Sequence, residues 1–448
     1  MPRLSRKAKV IKALRDKLKG RLMSRAAQLI LLDDEWFDDD MMHLELAKDL
    51  ALSVAIRKAE SQRYLFRQSQ YRCGNKRFNE DLDQGSLSWL NDDEFLQKYR
   101  CSRENFYRIL ELIEEHPVFQ TPENKRSQAP VAHQLMVFLK FLGTEGSGGN
   151  NSNQRGHFAV GYGTADLYRK RVCTAIRSLR DQFYFWPDAE ERRQIGKECA
   201  VIGDFPHCVG IADGTLFPLA FEPETEDAPD YNGRKFQYSL STMIICDHKR
   251  RIRHYLAGFP GSAHDNRIFK ETQLARFPNN HFDPQQYLLG DSAFENSWFM
   301  VSSYKRLPNQ LMGYYEEKFN DQLARLRFIS EHCIGILKGR FPWLRQIRLK
   351  ITEDDESLKR IMQLIEATVI LHNMLIEFRE EEVKEWIDYS DFSDLDDHTR
   401  AVYEEQNHEL SRGLSAAAPK DERRRRLMRF FMENLWDAPR NEVAIQAS

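Results

Sequence analysis

The stretch CVGIADGTLFPLA, residues 208–220, decides how this chain is read. The run Cys208 to Ala212 is apolar throughout and ends in a lone carboxylate, Asp213, followed by Gly214 and Thr215. Strands covered on both faces read as continuous apolar runs rather than alternating ones. The pattern therefore predicts a buried strand that delivers an acid at its end. YLLGDSAF, residues 287–294, repeats the arrangement with Asp291. Between the two, KFQYSLSTMIICD and RIRHYLAGFPG flank the polar turn DHKRR and predict a hairpin, and AHDNRIFKETQLARF predicts a helix.

A helical crossover makes the strands bearing Asp213 and Asp291 parallel neighbours, so both acids emerge at one sheet edge. A third acid, Glu331, lies mid-helix in FNDQLARLRFISEHCIGILKGRF. One face of that helix carries Leu323, Leu326, Ile334, Leu337 and Phe341. Another carries Asn320, Ala324, Arg327, Glu331, Gly335 and Lys338. A solvated Arg327–Glu331 pair would contribute only ~0.3–0.5 kcal/mol and would leave the two strand acids unexplained.

Carboxylates gathered within a few ångströms repel and need positive charge between them. An all-oxygen set without Cys or His suits a hard cation, Mg²⁺ or Mn²⁺. Two such ions ~3.5–4 Å apart serve phosphodiester cleavage by activating water and stabilising the leaving oxygen. Local charge fits a polyanionic substrate. Residues 320–350 are rich in Arg and Lys, including Arg327 and Lys338, and the loop YNGRK adds Arg234 and Lys235.

The whole chain is nearly neutral, with 66 Lys plus Arg against 68 Asp plus Glu in 448 residues, so any polyanion must be met by local patches. Its length allows two or three domains. Seven cysteines are scattered singly with no CxxC pair, which points to reduced, intracellular thiols and no zinc site. The neighbours His207–Cys208 and His332–Cys333 read as core. No apolar run approaches the ~20 residues of a membrane span, and no secretory signal is read.

Residues 1–84 form an extension, basic and then acidic. Residues 1–25 hold ten Lys or Arg and one Asp, with Val10, Leu14, Leu18 and Leu22 every four residues, so an amphipathic basic helix is expected. A nuclear or nucleic-acid-binding tail, a mitochondrial presequence and a solvated arm all remain open for it. Residues 85–187 read as all-helical. Ser102 is placed as an N-cap before the apolar face Phe106, Ile109, Leu110 and Ile113. Gly161 and Gly163 could turn a helix-turn-helix whose second helix, starting at Thr164, presents Arg169, Lys170 and Arg171 to DNA; a plain helical bundle with a solvated basic face is the other reading. Residues 200–376 hold the strands and the three acids. Residues 377–448 are charged, and their tetra-Arg run at 423–426 is either a nuclear-localisation signal or a helix surface.

Six motifs, IADGTLFPL, YNGRKFQYSLSTMIICD, GFPGSAHDNRIF, LLGDSAF, SEHCIGILKGRFPWLR and LHNML, stand in an order that resembles the Harbinger/PIF-type DDE transposases and their domesticated nuclease relatives. The resemblance covers about 205–375, and 85–187 looks like that family's helical N-terminal region. It implies an α/β, RNase H-like catalytic domain, a mixed sheet flanked by helices, preceded by a helix-turn-helix-like domain. It implies a catalytic triad of Asp213, Asp291 and Glu331, with Asp265 of the HD motif as a further metal-site acid. The implied activity is metal-dependent DNA cleavage that leaves a 3′-hydroxyl, in the nucleus, on double-stranded DNA at element ends, with a separate Myb-like DNA-binding partner and room for a homo-oligomer. Two positions depart from the family pattern: Phe294 stands where Tyr is common, and His332 follows the third acid where Arg is usual. A non-catalytic DNA-binding or adaptor protein that keeps the fold is the rival reading.

Overall fold

The computed structural model describes residues 6–31, 39–61, 90–120, 128–146, 158, 160–233, 236–305, 312–380, 383–387 and 422–434. The chain divides into two compact units, Met1–Phe78 and Asn79–Ser448.

The first unit pairs α1 (Arg6–Leu31) with α2 (Asp39–Ser61). Arg21 reaches Glu45 and Asp49, and Arg25 reaches Asp49, so charge holds much of the seam. Val10, Leu14 and Leu18 are half-buried, but Leu22 is exposed. A four-residue step overshoots the 3.6-residue turn by about 40°, so by Leu22 the stripe has drifted off the seam.

In the second unit the chain runs through α3 (Asp92–Tyr99), α4 (Arg103–Ile113), α5 (Val131–Leu142), α6 (Tyr162–Arg177), α7 (Arg180–Phe183) and α8 (Ala189–Gly203). Next come β1 (Cys208–Pro218), β2 (Ser239–Cys246), β3 (Ile252–Pro260), α9 (Asp265–Glu271), α10 (Gln273–Arg276), β4 (Tyr287–Gly290) and β5 (Met300–Ser302). The last elements are α11 (Tyr314–Arg340), α12 (Asp355–Glu377) and α13 (Glu422–Asn434). The strands form one mixed sheet in the order β3-β2-β1-β4-β5. The expected hairpin is β2–β3, antiparallel, and β1 pairs parallel with β4 across the helical crossover.

Both faces of the sheet are covered, as the unbroken apolar run of β1 requires. On one face Cys208, Ile211, Leu289 and Val301 pack with Ile195 of α8 and Phe319, Leu323 and Leu326 of α11. On the other, Val209, Ala212, Met243 and Leu288 pack with Ile268 and Phe269 of α9. The helices before residue 187 share one apolar core with the sheet, α11 and α12, from Phe95, Phe106 and Phe138 to Phe217, Leu337 and Leu371.

Three local expectations meet the structure here. Ser102 caps α4 as expected, its Oγ accepting from Asn105 N at 3.3 Å. Gly161, however, is itself the N-cap of α6, Gly163 lies inside the first turn, and residues 143–161 separate α5 from α6. Most of the segment that would precede such a turn, residues 147–157, lies outside the described residues. In the C-terminal extension, α13 is part of the core that covers the sheet. Leu427 and Phe431, one turn apart, are buried, with Phe431 edge-on to Phe205 at 5.3 Å. Of the tetra-Arg run, Arg423 is buried, donating to the carbonyls of Gln286 (2.8 Å) and Pro284 (2.6 Å). Arg424 lies over the Tyr304 ring, while Arg425 and Arg426 are exposed.

Candidate active site

The strand carrying Asp213 does not end there. Asp213 pairs with Ile244 of β2, and β1 continues to Pro218. What stops is the pairing on the other side, where the parallel β1–β4 register closes at Ile211–Leu289. Asp213 and Asp291 each lie two residues past that pair, so they stand abreast where β4 has left the sheet. Side chains two apart in a strand share a face. Ile211 and Leu289 both pack toward α11, and the two acids therefore point the same way. The crevice at the carboxyl end of a parallel strand pair is where open α/β sheets present functional groups.

Glu331 meets them from α11, which packs across β1, β2 and β4. It is buried, and its Oε1 accepts from Arg327 Nη2 at 3.0 Å. The i,i+4 pair is thus formed, but under cover rather than in solvent. Asp265 comes from the first turn of α9 on the opposite face. Its carboxyl rests on Gly214: a Cβ there would stand 2.0 Å from Asp265 Oδ1. Gly214 is the seat that lets the fourth acid approach the strand. The N-cap of α9 is His264.

The carboxyl of Asp213 is pushed up to about 8, first by burial. Arg327 opposes that rise, while Glu331, Asp291 and Asp265 add to it by repulsion. The other three acids are therefore near enough to act on Asp213 through space. Asp291 is steadied by the Ala293 N–H at 2.9 Å. Among the described residues, no three His, Cys, Asp or Glu side chains close on a common point as a metal cage. The donor chemistry nevertheless fits a hard divalent cation: oxygen donors only, and a mutual repulsion that positive charge would relieve.

The expected DNA contacts fall into different classes. Arg169 is buried, paired with Asp166 at 3.4 Å and lying over the Phe141 ring at 4.6 Å, so its charge is used inside the fold rather than offered to a phosphate. Lys170 is 60 % exposed. Arg171 is half-buried. Arg327 serves the carboxylates, and Lys338 is buried. Arg234 and Lys235 lie outside the described residues.

Sequence reasoning missed the seating role of Gly214 and the stitching role of Asn373 in LHNML. Asn373 accepts from Ile252 N and donates to the carbonyls of Ile252 and Phe183, each at 2.8 Å, tying β3 to the end of α7. The signal was available: an amide inside an apolar helix must find partners. Phe294 is explained by its surroundings. Its ring covers Gly290 and meets Phe269 edge-on at 5.7 Å in an apolar cluster, where a tyrosine hydroxyl would need a partner. His332 Nδ1 lies 3.4 Å from Arg250 Nη1.

Comparison with known proteins supports the same grouping. Residues 212–373 match the family described as DDE superfamily endonuclease. The protein named "Putative nuclease HARBI1" from Bos taurus is 24% identical over 300 residues, covering 66% of this chain and 81% of that protein. Its Homo sapiens counterpart gives the same identity and coverage. "Protein ALP1-like" from Arabidopsis thaliana is 21% identical over 306 residues, 64% of this chain and 71% of that protein. No solved structure matches the chain. The motifs, the mixed five-stranded sheet and these matches agree in a likeness to the Harbinger-type DDE family, carried by the DDE superfamily endonuclease match over residues 212–373.

Proposed function

We propose that this protein is a divalent-metal-dependent DNA endonuclease, transposase or transposase-derived, with an RNase H-like catalytic domain. The geometry that supports the reading is the placing of Asp213 and Asp291 just past the last β1–β4 pair, with Glu331 and Asp265 near enough to raise the Asp213 carboxyl. Asp213, Asp291 and Glu331 would hold Mg²⁺ or Mn²⁺ as the catalytic triad, and Asp265 would support them. When bound, a pair of such ions supplies the charge that activates water and stabilises the leaving oxygen of a phosphodiester.

The chain's own residues set the conditions. The two strands fix Asp213 and Asp291 without side-chain search, and α11 brings Glu331 from above. Arg327 holds Glu331 until DNA and metal arrive, and is then near enough to meet a phosphate. Lys170 and Arg171 would add sequence-independent phosphate contacts away from the acids. The basic character of residues 1–25 and the exposure of Arg425 and Arg426 support a nuclear location. The family resemblance supports a Myb-like partner.

A second reading, a non-catalytic DNA-binding or adaptor protein, has one observation in its favour. Arg327 already neutralises Glu331, so the acids have a cation without any metal. Nicking of supercoiled DNA in Mg²⁺, and its loss in EDTA, separates the two. Activity that needs the metal supports the endonuclease; DNA binding without nicking in either Mg²⁺ or Mn²⁺ supports the adaptor.

A further inference from the structure

The cysteines are scattered singly along the chain, yet the fold pairs four of them. Cys199 of α8 is hydrogen-bonded to Cys208 of β1, and Cys246 of β2 to Cys333 of α11. Each pair joins a helix to a strand, and all four are buried free thiols.

The second pair is held from both sides. Cys246 ends β2, an interior strand of the sheet, and its backbone faces Ile211 of β1 and Ile252 of β3. Cys333 lies on the buried side of α11 between Leu326 and Leu337, two residues past Glu331. Its Sγ donates to the Arg250 carbonyl at 3.2 Å and lies 3.6 Å from His372 Nε2. His372 Nε2 meets the same carbonyl at 2.9 Å, so ring and sulfur are fixed against one oxygen.

A cavity distinguishes the two pairs. Arg250 and His372 line a space of about 190 Å³ between the β2–β3 turn and the end of α12. That is well above the ~10–15 Å³ that one water needs. The Cys333 sulfur therefore lies one side chain behind a wall that a small polar molecule can reach. Cys199 and Cys208 instead sit within the apolar cluster of Phe205, Tyr287 and Phe319.

A single buried cysteine is ordinarily an inert apolar filler. A facing pair beside a cavity differs, because a sulfenic acid formed on one sulfur finds its resolving thiol already in place. We propose that Cys246 and Cys333 are a redox-sensitive dithiol, which a hydroperoxide converts to a disulfide tying β2 to α11 two residues past Glu331. The Cys333 sulfur attacks the peroxide O–O bond. One oxygen stays on sulfur as the sulfenic acid, and the other leaves as water with the thiol proton. The Cys246 sulfur then displaces the remaining oxygen: the S–S bond forms, the S–O bond breaks, and a second water leaves with the Cys246 proton. Both sulfurs are oxidised, the peroxide is reduced, and a dithiol reductant reverses the change.

The inference does not depend on nuclease activity, and a protein that never nicks DNA should still form the link. The test exposes the full chain to hydrogen peroxide in EDTA, blocks the remaining thiols with N-ethylmaleimide in denaturant, and maps unreduced peptides by mass spectrometry. Wild type should lose two of its seven blockable thiols. The peptides bearing Cys246 and Cys333 should appear joined within one chain, before any link of Cys199 to Cys208, and dithiothreitol should separate them. Cys246→Ala and Cys333→Ala should each lose this product, and Cys199→Ala should keep it. The wild-type map stands even if an alanine variant fails to fold. Cys246 and Cys333 both still blocked by maleimide after peroxide, Cys333 carried to sulfinic acid without a link, or closure of Cys199–Cys208 first would overturn the proposal.

Discussion

The carboxyl of Asp265 rests on the bare Cα of Gly214, closer than any side chain would allow. Gly214→Ala should therefore displace Asp265 even though the strand conformation suits alanine. The clash is with a carboxyl in a crowded site, so a cost of about 1–3 kcal/mol is expected. The Mg²⁺ concentration for half-maximal cleavage should rise. The double variant Gly214→Ala/Asp265→Ala should recover the stability but not the metal dependence. If Gly214→Ala alone changes neither, Asp265 does not sit on the strand as described.

The raised Asp213 carboxyl predicts a pH dependence of the metal-free protein. In the unfolded chain this group ionises near its ordinary value, 3.8, whereas in the folded protein it holds its proton to about 8. Its contribution to stability is thus fully present below pH ~4 and is lost as pH rises to ~8. Asp213→Asn mimics the neutral form. Its melting temperature should match wild type near pH 4 and exceed it increasingly toward pH 8. A constant difference across that range would mean the carboxyl is not raised.

Arg327 bonds Glu331 and lowers the Asp213 carboxyl, so it is the cation of the metal-free site. Arg327→Gln should destabilise the metal-free protein by about 1–3 kcal/mol, the scale of a charged hydrogen bond under partial cover. Added Mg²⁺ should then raise the melting temperature of the variant more than that of wild type. Equal protection by Mg²⁺ would show that the ion and Arg327 do not answer the same charge.

The C-terminal arginine run divides sharply by burial. Arg423→Ala removes a buried guanidinium bonded to two carbonyls and should cost about 2–3 kcal/mol in chemical denaturation. Arg425→Ala and Arg426→Ala should stay within ~0.5 kcal/mol. Phe431→Ala empties a contact with Phe205 and Phe319 and should cost about 3–5 kcal/mol. Equal costs for Arg423 and Arg425 would mean that α13 is not docked on the sheet.

Much of the sheet domain was legible because burial on both faces leaves an unmistakable apolar run. Cys208–Ala212 and Tyr287–Gly290 are such runs, and each leads into an acid. The point where β1 stops pairing with β4 was not legible, since Gly214 to Pro218 remain a strand on the β2 side alone. The helical stripe of Leu323, Leu326, Ile334, Leu337 and Phe341 is buried as its spacing predicts. Arg169 misled because a charge is ordinarily solvated. Its inward course depends on Asp166 one turn back and on Phe141 from another helix, and only the first is visible locally. In α13, two apolar residues four apart were masked by arginines, one of which, Arg423, is itself buried.

The carboxylate assignment is tested most sharply by DNA nicking with full-length protein in Mg²⁺, compared among wild type, Asp213→Asn, Asp291→Asn and Glu331→Gln, with DNA affinity measured on the same preparations. These exchanges keep side-chain shape and remove ligand charge. Wild type should nick, each variant should lose nicking, and all four should bind DNA within a few fold of one another. Wild-type nicking retained by any one variant would contradict the assignment of that acid, and a wild type that binds DNA but never nicks would contradict the catalytic reading.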